Sequence, residues 1–427
     1  MNKLNFIIFF FLFSFFAQAQ KDTVNLTLKS AELLLFERNL TLIAEKYNID
    51  IAEAQIQQAK LFENPTILLE QNIYNRLNNK YFDVGKNGEA AIEIEQAIHL
   101  AGQRKKQTKL EKINKDIAQY QFEETLRILH GELNEIFIET YFLQKTIKIY
   151  NKEIISLENL LTGMKIQFQK GNISFLEISR LESMLLSLKK EKNEQENSLF
   201  LFQSKLNQLL NIAPQNILQL TLDENALNQI NLSQLSYNAL KNMLSERSDI
   251  KTAYSSISAS QANLKLQKSM AAPDFSVKGM YDRAGNFINN YFALGISISI
   301  PIFNRNQGNI KSARLNIHRA NKEKEYIINK AESELFAAYN QLNKAIELYQ
   351  SINKNLEKNF DKLIIGTTEN FKNKNISLLE FIDYYKSYKE SCLQFYETQK
   401  SVFLTMENLN TGMVTMMLPI FLVKIII

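Results

Sequence analysis

Scarcity marks this chain before any motif does. Its 427 residues hold one cysteine, no tryptophan, five prolines, twelve glycines and three histidines. A lone cysteine, Cys392, excludes an internal disulfide framework, and its place deep in a helical pattern reads as a small packing residue. No phosphate-cradling loop of Gly, Lys and Ser/Thr type is present, so no nucleotide-driven activity is expected. His99, His130 and His318 are scattered and lack partners at ligand spacing, so neither a dedicated metal site nor a cofactor is expected. No pair of carboxylates stands out for acid–base work, and the chain does not read as an enzyme. The net charge of +5 is small, with basic and acidic residues interleaved. That pattern describes solvated helix faces and gives no nucleic-acid signal. So few breakers in so long a chain favour long helices over a loop-rich fold.

What is present confirms that preference. Over 126–168 the core positions step by three and four without a slip: Leu126, Leu129, Leu133, Ile136, Thr140, Leu143, Ile147, Tyr150, Ile154, Leu157, Leu161, Met164 and Phe168. A mean step of about 3.5 residues keeps a seam facing its neighbours in a left-handed supercoil. The helical signal begins near Arg104, and a helix from there to Phe168 would reach about 100 Å. A second seam runs Ile328, Ala331, Leu335, Ala338, Leu342, Ala345, Tyr349, Ile352, Leu356, Asn359, Leu363.

The N-terminus reads as a cleavable signal peptide over 1–19. Lys3 supplies the charge, an apolar run follows to Phe16, and Ala17-Gln18-Ala19 offers small residues for cleavage. The apolar run is too short for a bilayer span of roughly 20 residues. Without a cysteine at the cleavage site, no N-terminal lipid anchor is expected.

The chain repeats itself at a spacing of roughly 200 residues. Gly171-Asn172-Ile173-Ser174-Phe175-Leu176-Glu177 answers Lys374-Asn375-Ile376-Ser377-Leu378-Leu379-Glu380, and Glu63-Asn64-Pro65 answers Ala271-Ala272-Pro273. A looser echo relates 96–104 to 300–308. The expected organisation is a first repeat over 20–213, a connecting, equatorial segment over 214–236, a second repeat over 237–412 and an apolar tail over 413–427. Each repeat reads helix, two strands, long helix, turn, long helix. The predicted helices are 28–63, 103–168 and 174–211, then 236–270, 307–364 and 376–410, with strands at 66–75, 89–98, 274–283 and 291–300.

Those four strands carry period-two alternation. In the sharpest, Phe292, Leu294, Ile296, Ile298 and Ile300 share one face, and Ala293, Gly295, Ser297 and Ser299 the other. About ten residues, apolar on one side and small or polar on the other, is the outline of a barrel strand crossing an outer membrane. Four strands cannot close such a barrel, and lipid tolerates no unpaired edge. Several copies must therefore share one barrel. Two would give eight strands with a filled interior, and three would give twelve with room for a channel.

On the paired Asn-Ile-Ser-x-Leu-Glu turns at 172–177 and 375–380, and the strand-to-helix joints at 96–104 and 301–308, the chain resembles the outer-membrane efflux proteins of the TolC family over nearly its whole mature length. The Gln96-x-Ile98-x-Leu100-x-Gly102-x-Arg104 pattern resembles the CzcC-like, heavy-metal branch. The resemblance implies a mainly α fold with a small β part, whose long antiparallel helical hairpins form an α-barrel. Four transmembrane strands per chain would join a trimeric twelve-stranded β-barrel. It implies a homotrimer in the outer membrane with a large periplasmic portion, docked to a periplasmic membrane-fusion adaptor and an inner-membrane pump of the resistance–nodulation–division type. Such a channel passively conducts heavy-metal cations or small toxic compounds outward.

The resemblance also implies that Glu380 and Asp383, with Glu177 and Arg180 in the first repeat, lie at the channel constriction. Adaptor contact is expected at the turns holding Gly171, Asn172, Lys374 and Asn375. Lys374 standing where the first copy has Gly171 leaves the equivalence of the turns open. Two other readings are a periplasmic coiled-coil adaptor, which would need one hairpin flanked by compact β domains, and a secreted structural coiled coil, which would leave the alternating runs and the duplication unexplained.

Overall fold

A computed structural model describes residues 23–85, 88–229, 236–284, 288–352 and 356–413, with no side-chain description at 226, 228–229 and 356–361. The expected signal peptide and the tail beyond Met413 lie outside the described residues.

The chain opens with β1 (Thr23–Thr27), α1 (Leu28–Arg38) and α2 (Leu40–Gln58). One helix was expected over 28–63, and the structure breaks it at Asn39. The side chain of Asn39 accepts from the Leu42 N–H at 2.9 Å and donates to the Leu209 carbonyl at 2.9 Å. Local bonds of this kind compete with the helix ladder and start a new helix. Thr27 and Ser30 form a capping box that fixes the start of α1. Strands β2 (Thr66–Gln71), β3 (Tyr74–Asn75), β4 (Lys80–Tyr81) and β5 (Ala90–Ile98) follow, then helices α3 (Gln103–Gln169) and α4 (Phe175–Leu209). β6 (Ile217–Thr221) and a short 3-10 turn lead to α5 (Tyr237–Met243) and α6 (Ser248–Ser269). Strands β7 (Asp274–Ala284) and β8 (Asn289–Ser299) precede helices α7 (Gln307–Ser351), α8 (Leu356–Lys372) and α9 (Leu378–Met413).

Contacts divide the chain into two units, each drawing on both sequence repeats. One holds residues up to Ile43, Thr125–Leu244 and those from Ala331 onward. Its core is built from the two seams together with α4 and α9. Leu133, Leu157, Leu181, Ala331 and Leu335 are at most 1% exposed. Thr140, the polar member, is buried with its hydroxyl donating to the Ile136 carbonyl at 2.7 Å, so it leaves no unmet donor. Cys392 is buried as a packing residue. In the same unit β1 and β6 pair in parallel, Thr23 opposite Ile217. The segment 214–236, expected only as a connection, thus contributes a strand. Gln144 holds it to α3, donating to the Leu218 carbonyl and accepting from the Leu220 N–H.

The other unit, Ala44–Glu124 with Ser245–Lys330, contains one four-stranded antiparallel sheet in the order β2-β5-β7-β8. The two expected strand pairs are joined by β5 and β7, with Glu95 opposite Lys278 and Ile98 opposite Phe275. The expected strand at 66–75 ends at Gln71, and Tyr74–Asn75 turns back to pair with Lys80–Tyr81.

Candidate functional site

Two turns link the paired long helices of the first-described unit. α3 ends with the Gly171 N–H on the Phe168 carbonyl at 2.9 Å and the Asn172 N–H on the Gln167 carbonyl at 3.0 Å. α8 ends with Lys374 N–H on Phe371 at 3.0 Å and Asn375 N–H on Asn370 at 2.9 Å. Gly171 has φ +79° and Lys374 φ +61°, so both occupy the left-handed conformation that closes such an ending. The two asparagines repeat the pattern with their side chains, Asn172 donating to Gln167 at 2.8 Å and Asn375 to Asn370 at 3.1 Å. The turns are therefore built alike, and the open question about Lys374 resolves in favour of equivalence.

The next helices begin alike too. Glu177 Oε2 accepts from the Ser174 N–H at 2.8 Å and from its hydroxyl at 2.9 Å, while the Glu177 N–H returns to the Ser174 hydroxyl. Glu380 and Ser377 make the same three bonds. These are capping boxes, a role that sequence reasoning missed although the Ser-x-x-Glu spacing in both repeats carries its signal. The Ser377 N–H and hydroxyl hold the Glu380 carboxyl below its ordinary pKa, so it stays charged. Arg180 and Asp383, one turn further on, are exposed.

One apolar cluster lies beneath both turns. Ile173 and Ile376 pack against it, and Leu157, Leu181, Phe381 and Tyr385 are its most buried members. Phe381 stacks between Phe371 and Tyr385 at centroid distances of 4.9 and 5.5 Å. A polar group is set into this apolar surrounding. Lys389 Nζ lies 2.7 Å from Glu191 Oε2, which also accepts from the Tyr150 hydroxyl at 3.1 Å. Glu153, beside them, is 2% exposed, and both its carboxyl oxygens lack a hydrogen-bond partner.

The sheet has two unlike faces. Ile67, Leu69, Ile92, Ile94 and Val277 share one face with Phe292, Leu294, Ile296 and Ile298 of β8. Leu294 is 80% exposed and Phe292 75%. The opposite face holds Glu70, Glu93, Glu95, Lys278, Ser276 and Ser297. There Lys278 Nζ reaches Glu93 Oε1 at 3.1 Å, and Glu95 accepts from the Ser276 hydroxyl. Gly295 sits opposite Lys278, where an added Cβ would come within 3.2 Å of the lysine stem. An apolar face this exposed is costly in water, at about 25 cal/mol per Å² left uncovered, and natural in lipid. β2 and β8 are the sheet edges.

Sequence reasoning missed the surroundings of two histidines. His99, one residue past β5, has Nε2 2.7 Å from Glu63 Oε1 and Nδ1 2.9 Å from Asp274 Oδ1. His130 Nε2 lies 3.0 Å from Glu32. Their partners are far away in sequence, so spacing carried no signal. Among the described residues no group of three or more His, Cys, Asp or Glu could hold a metal ion, and no helix is long and apolar enough to cross a membrane.

No family model matches the chain. The cobalt-zinc-cadmium resistance protein CzcC of Cupriavidus metallidurans is 24% identical over 381 residues, covering 83% of this chain and 86% of that protein. Among solved structures, CusC superposes with a TM-score of 0.72 at 15% identity, over 95% of this chain and 96% of that one. The CmeC outer-membrane channel of Campylobacter jejuni gives 0.72 at 14% identity, over 90% and 85%. The chain is thus similar in sequence to CzcC and shares the fold of solved outer-membrane channels.

Proposed function

We propose that three copies of this chain assemble into one channel, with a shared twelve-stranded barrel in the outer membrane and the long helices lining a periplasmic tunnel. The observation that carries this is the four-stranded sheet with an exposed apolar face and two open edges, β2 and β8. In lipid each edge must find a partner strand, and a ring of identical copies supplies one to every edge. The channel conducts passively, and a separate inner-membrane pump, of resistance–nodulation–division type, supplies the energy through a periplasmic adaptor. That adaptor docks at the twin turns, through Gly171, Asn172, Lys374 and Asn375.

Heavy-metal cations are the favoured cargo, on the strength of the similarity to CzcC. Cations need no chelating site here, only a route of suitable charge. Glu380 and Asp383, repeated three times round the axis, would make a carboxylate ring that attracts cations and repels anions. Glu177 and Arg180 form the mixed counterpart in the first repeat. The sequence boundaries at 20–213 and 237–412 delimit the two repeats, joined by 214–236.

The test has two arms. The mature protein, extracted in detergent, is expected to run as a heat-resistant trimer and to form cation-selective pores in planar bilayers. A deletion strain is expected to become sensitive to cobalt, zinc or cadmium. A soluble monomer without conductance overturns the channel, and sensitivity confined to dyes and detergents overturns the cargo.

A further inference from the structure

Helices α3, α4 and α9 meet around a carboxyl group that has nothing to bond. Glu153 projects from α3 into the apolar cluster beneath the turns, with both oxygens buried and unpartnered. The charged and titratable groups facing it are Glu191 from α4 and Lys389 from α9, with Tyr150 on its own helix and Tyr385 on α9. Tyr385 does not serve the carboxyl, because its hydroxyl donates to the Glu153 backbone carbonyl at 3.1 Å. Among the described residues the cation facing it is Lys389, 11% exposed and already bonded to Glu191 at 2.7 Å. Glu191 is satisfied as well, by Tyr150 and by the Ser187 hydroxyl at 3.1 Å.

Two carboxyl groups therefore share the reach of one ammonium, and Glu191 holds it. An ionised Glu153 would be a bare charge in an apolar core, which folded proteins avoid by keeping the proton. Burial pushes its pKa up to about 8, Glu191 adds to the rise and Lys389 opposes it.

We propose that Glu153 is a proton-operated catch on the helix packing beneath the twin turns. Protonated, it lies quietly between α3, α4 and α9. Ionised, it competes with Glu191 for Lys389 and draws α9 away from its bond to α4. The inference rests on the reading of these turns as the end of the channel that opens and closes. It makes opening respond to the pH of the surrounding compartment, with alkaline conditions favouring the loosened state.

The experiment compares the detergent-extracted wild type with Glu153→Gln, which keeps the shape and removes the titration. Wild-type open probability in planar bilayers is expected to rise with a midpoint near pH 8, and Glu153→Gln to stay flat. Lys389→Met, which removes the ammonium that the two carboxyl groups compete for, is expected to leave open probability flat with pH as well. Melting gives a second readout. A carboxyl whose folded pKa is raised lowers stability as pH climbs from the ordinary carboxylate range to that raised value, and adds nothing further above it. The wild type is thus expected to lose melting temperature relative to Glu153→Gln between about pH 5 and 8, then to run parallel with it. Identical pH profiles in both readouts overturn the catch. If neither protein conducts at any pH, the channel reading fails, and the melting comparison alone decides the catch.

Discussion

Gly171 and Lys374 hold the same left-handed backbone at the same point of two turns, though only one of them is glycine. Lysine must press its Cβ into a conformation that glycine adopts freely. Lys374→Gly is therefore expected to stabilise the protein by about 0.5–1 kcal/mol, and Gly171→Ala to cost about 1 kcal/mol. An added Cβ at Gly171 meets nothing within 4 Å, so the cost there is backbone strain alone. Thermal melts of the two variants in detergent check both signs. Equal melting temperatures would mean that neither turn is under strain.

The helix cap made by Glu380 and its proposed part in a carboxylate ring can be separated. Glutamine also completes a capping box, so Glu380→Gln removes charge while keeping the helix start. Asp383→Asn removes the neighbouring charge. Both are expected to reduce cation preference, read as the reversal potential across a potassium chloride gradient, with melting nearly unchanged. Ser377→Ala should do the reverse, costing about 1 kcal/mol of stability with selectivity retained. If selectivity follows Ser377→Ala and ignores the two neutral variants, the carboxylate ring is not what the ions sense.

His99 gives a pH dependence of opposite chemical origin to that of Glu153. Asp274 and then Glu63 bond its imidazole and hold its pKa above the ordinary value. A raised histidine lends its stability in full below its unfolded value of about 6.5, and that stability is lost as pH rises through the folded value. His99→Gln should abolish this slope between neutral and mildly alkaline pH. The side chain is 37% exposed, and solvent screening keeps the effect to about a degree or two of melting temperature. A wild-type slope that survives in His99→Gln would assign it to another group.

The two sheet faces should tolerate charge unequally. Leu294→Arg places a cation on the apolar face and is expected to cost about 2–4 kcal/mol near the bilayer midplane. Ser297→Arg, on the polar face, should be accepted. The yield of heat-resistant oligomer in outer-membrane extracts compares them, and equal yields would count against a lipid-facing surface.

Much of this architecture was readable because its signals are periodic and long. The seam from Leu126 to Met164 placed a helix at 103–168, and α3 runs Gln103–Gln169. Strict alternation in β8 put Phe292, Leu294 and Ile296 together, and the structure leaves all three exposed on one face. What escaped was either short or distant. The parallel pairing of Thr23–Thr27 with Ile217–Thr221 joins segments nearly half the chain apart, where no local pattern reports a partner. Asn39 divides α1 from α2 through its own side-chain bonds, one of them to a residue 170 positions away. At the turns the repeated Ser-x-x-Glu stretch was apparent, but the capping function of Glu177 and Glu380 was not read from it. A reading that sought charge for a pore overlooked the same carboxylates closing a helix end. Glu153 gave no hint at all, since a glutamate following Asn151 and Lys152 looks like any helix surface until its neighbours are known.

The open margins at β2 and β8 have a genetic corollary. Every seam in a closed ring uses one copy of each margin, so damage to either is written into all seams at once. A cell making sound and damaged subunits in equal amounts would, in a ring of three, build about one flawless ring in eight if subunits mix freely. Edge-strand lesions in this gene should therefore behave as dominant alleles, poisoning efflux even beside an intact copy.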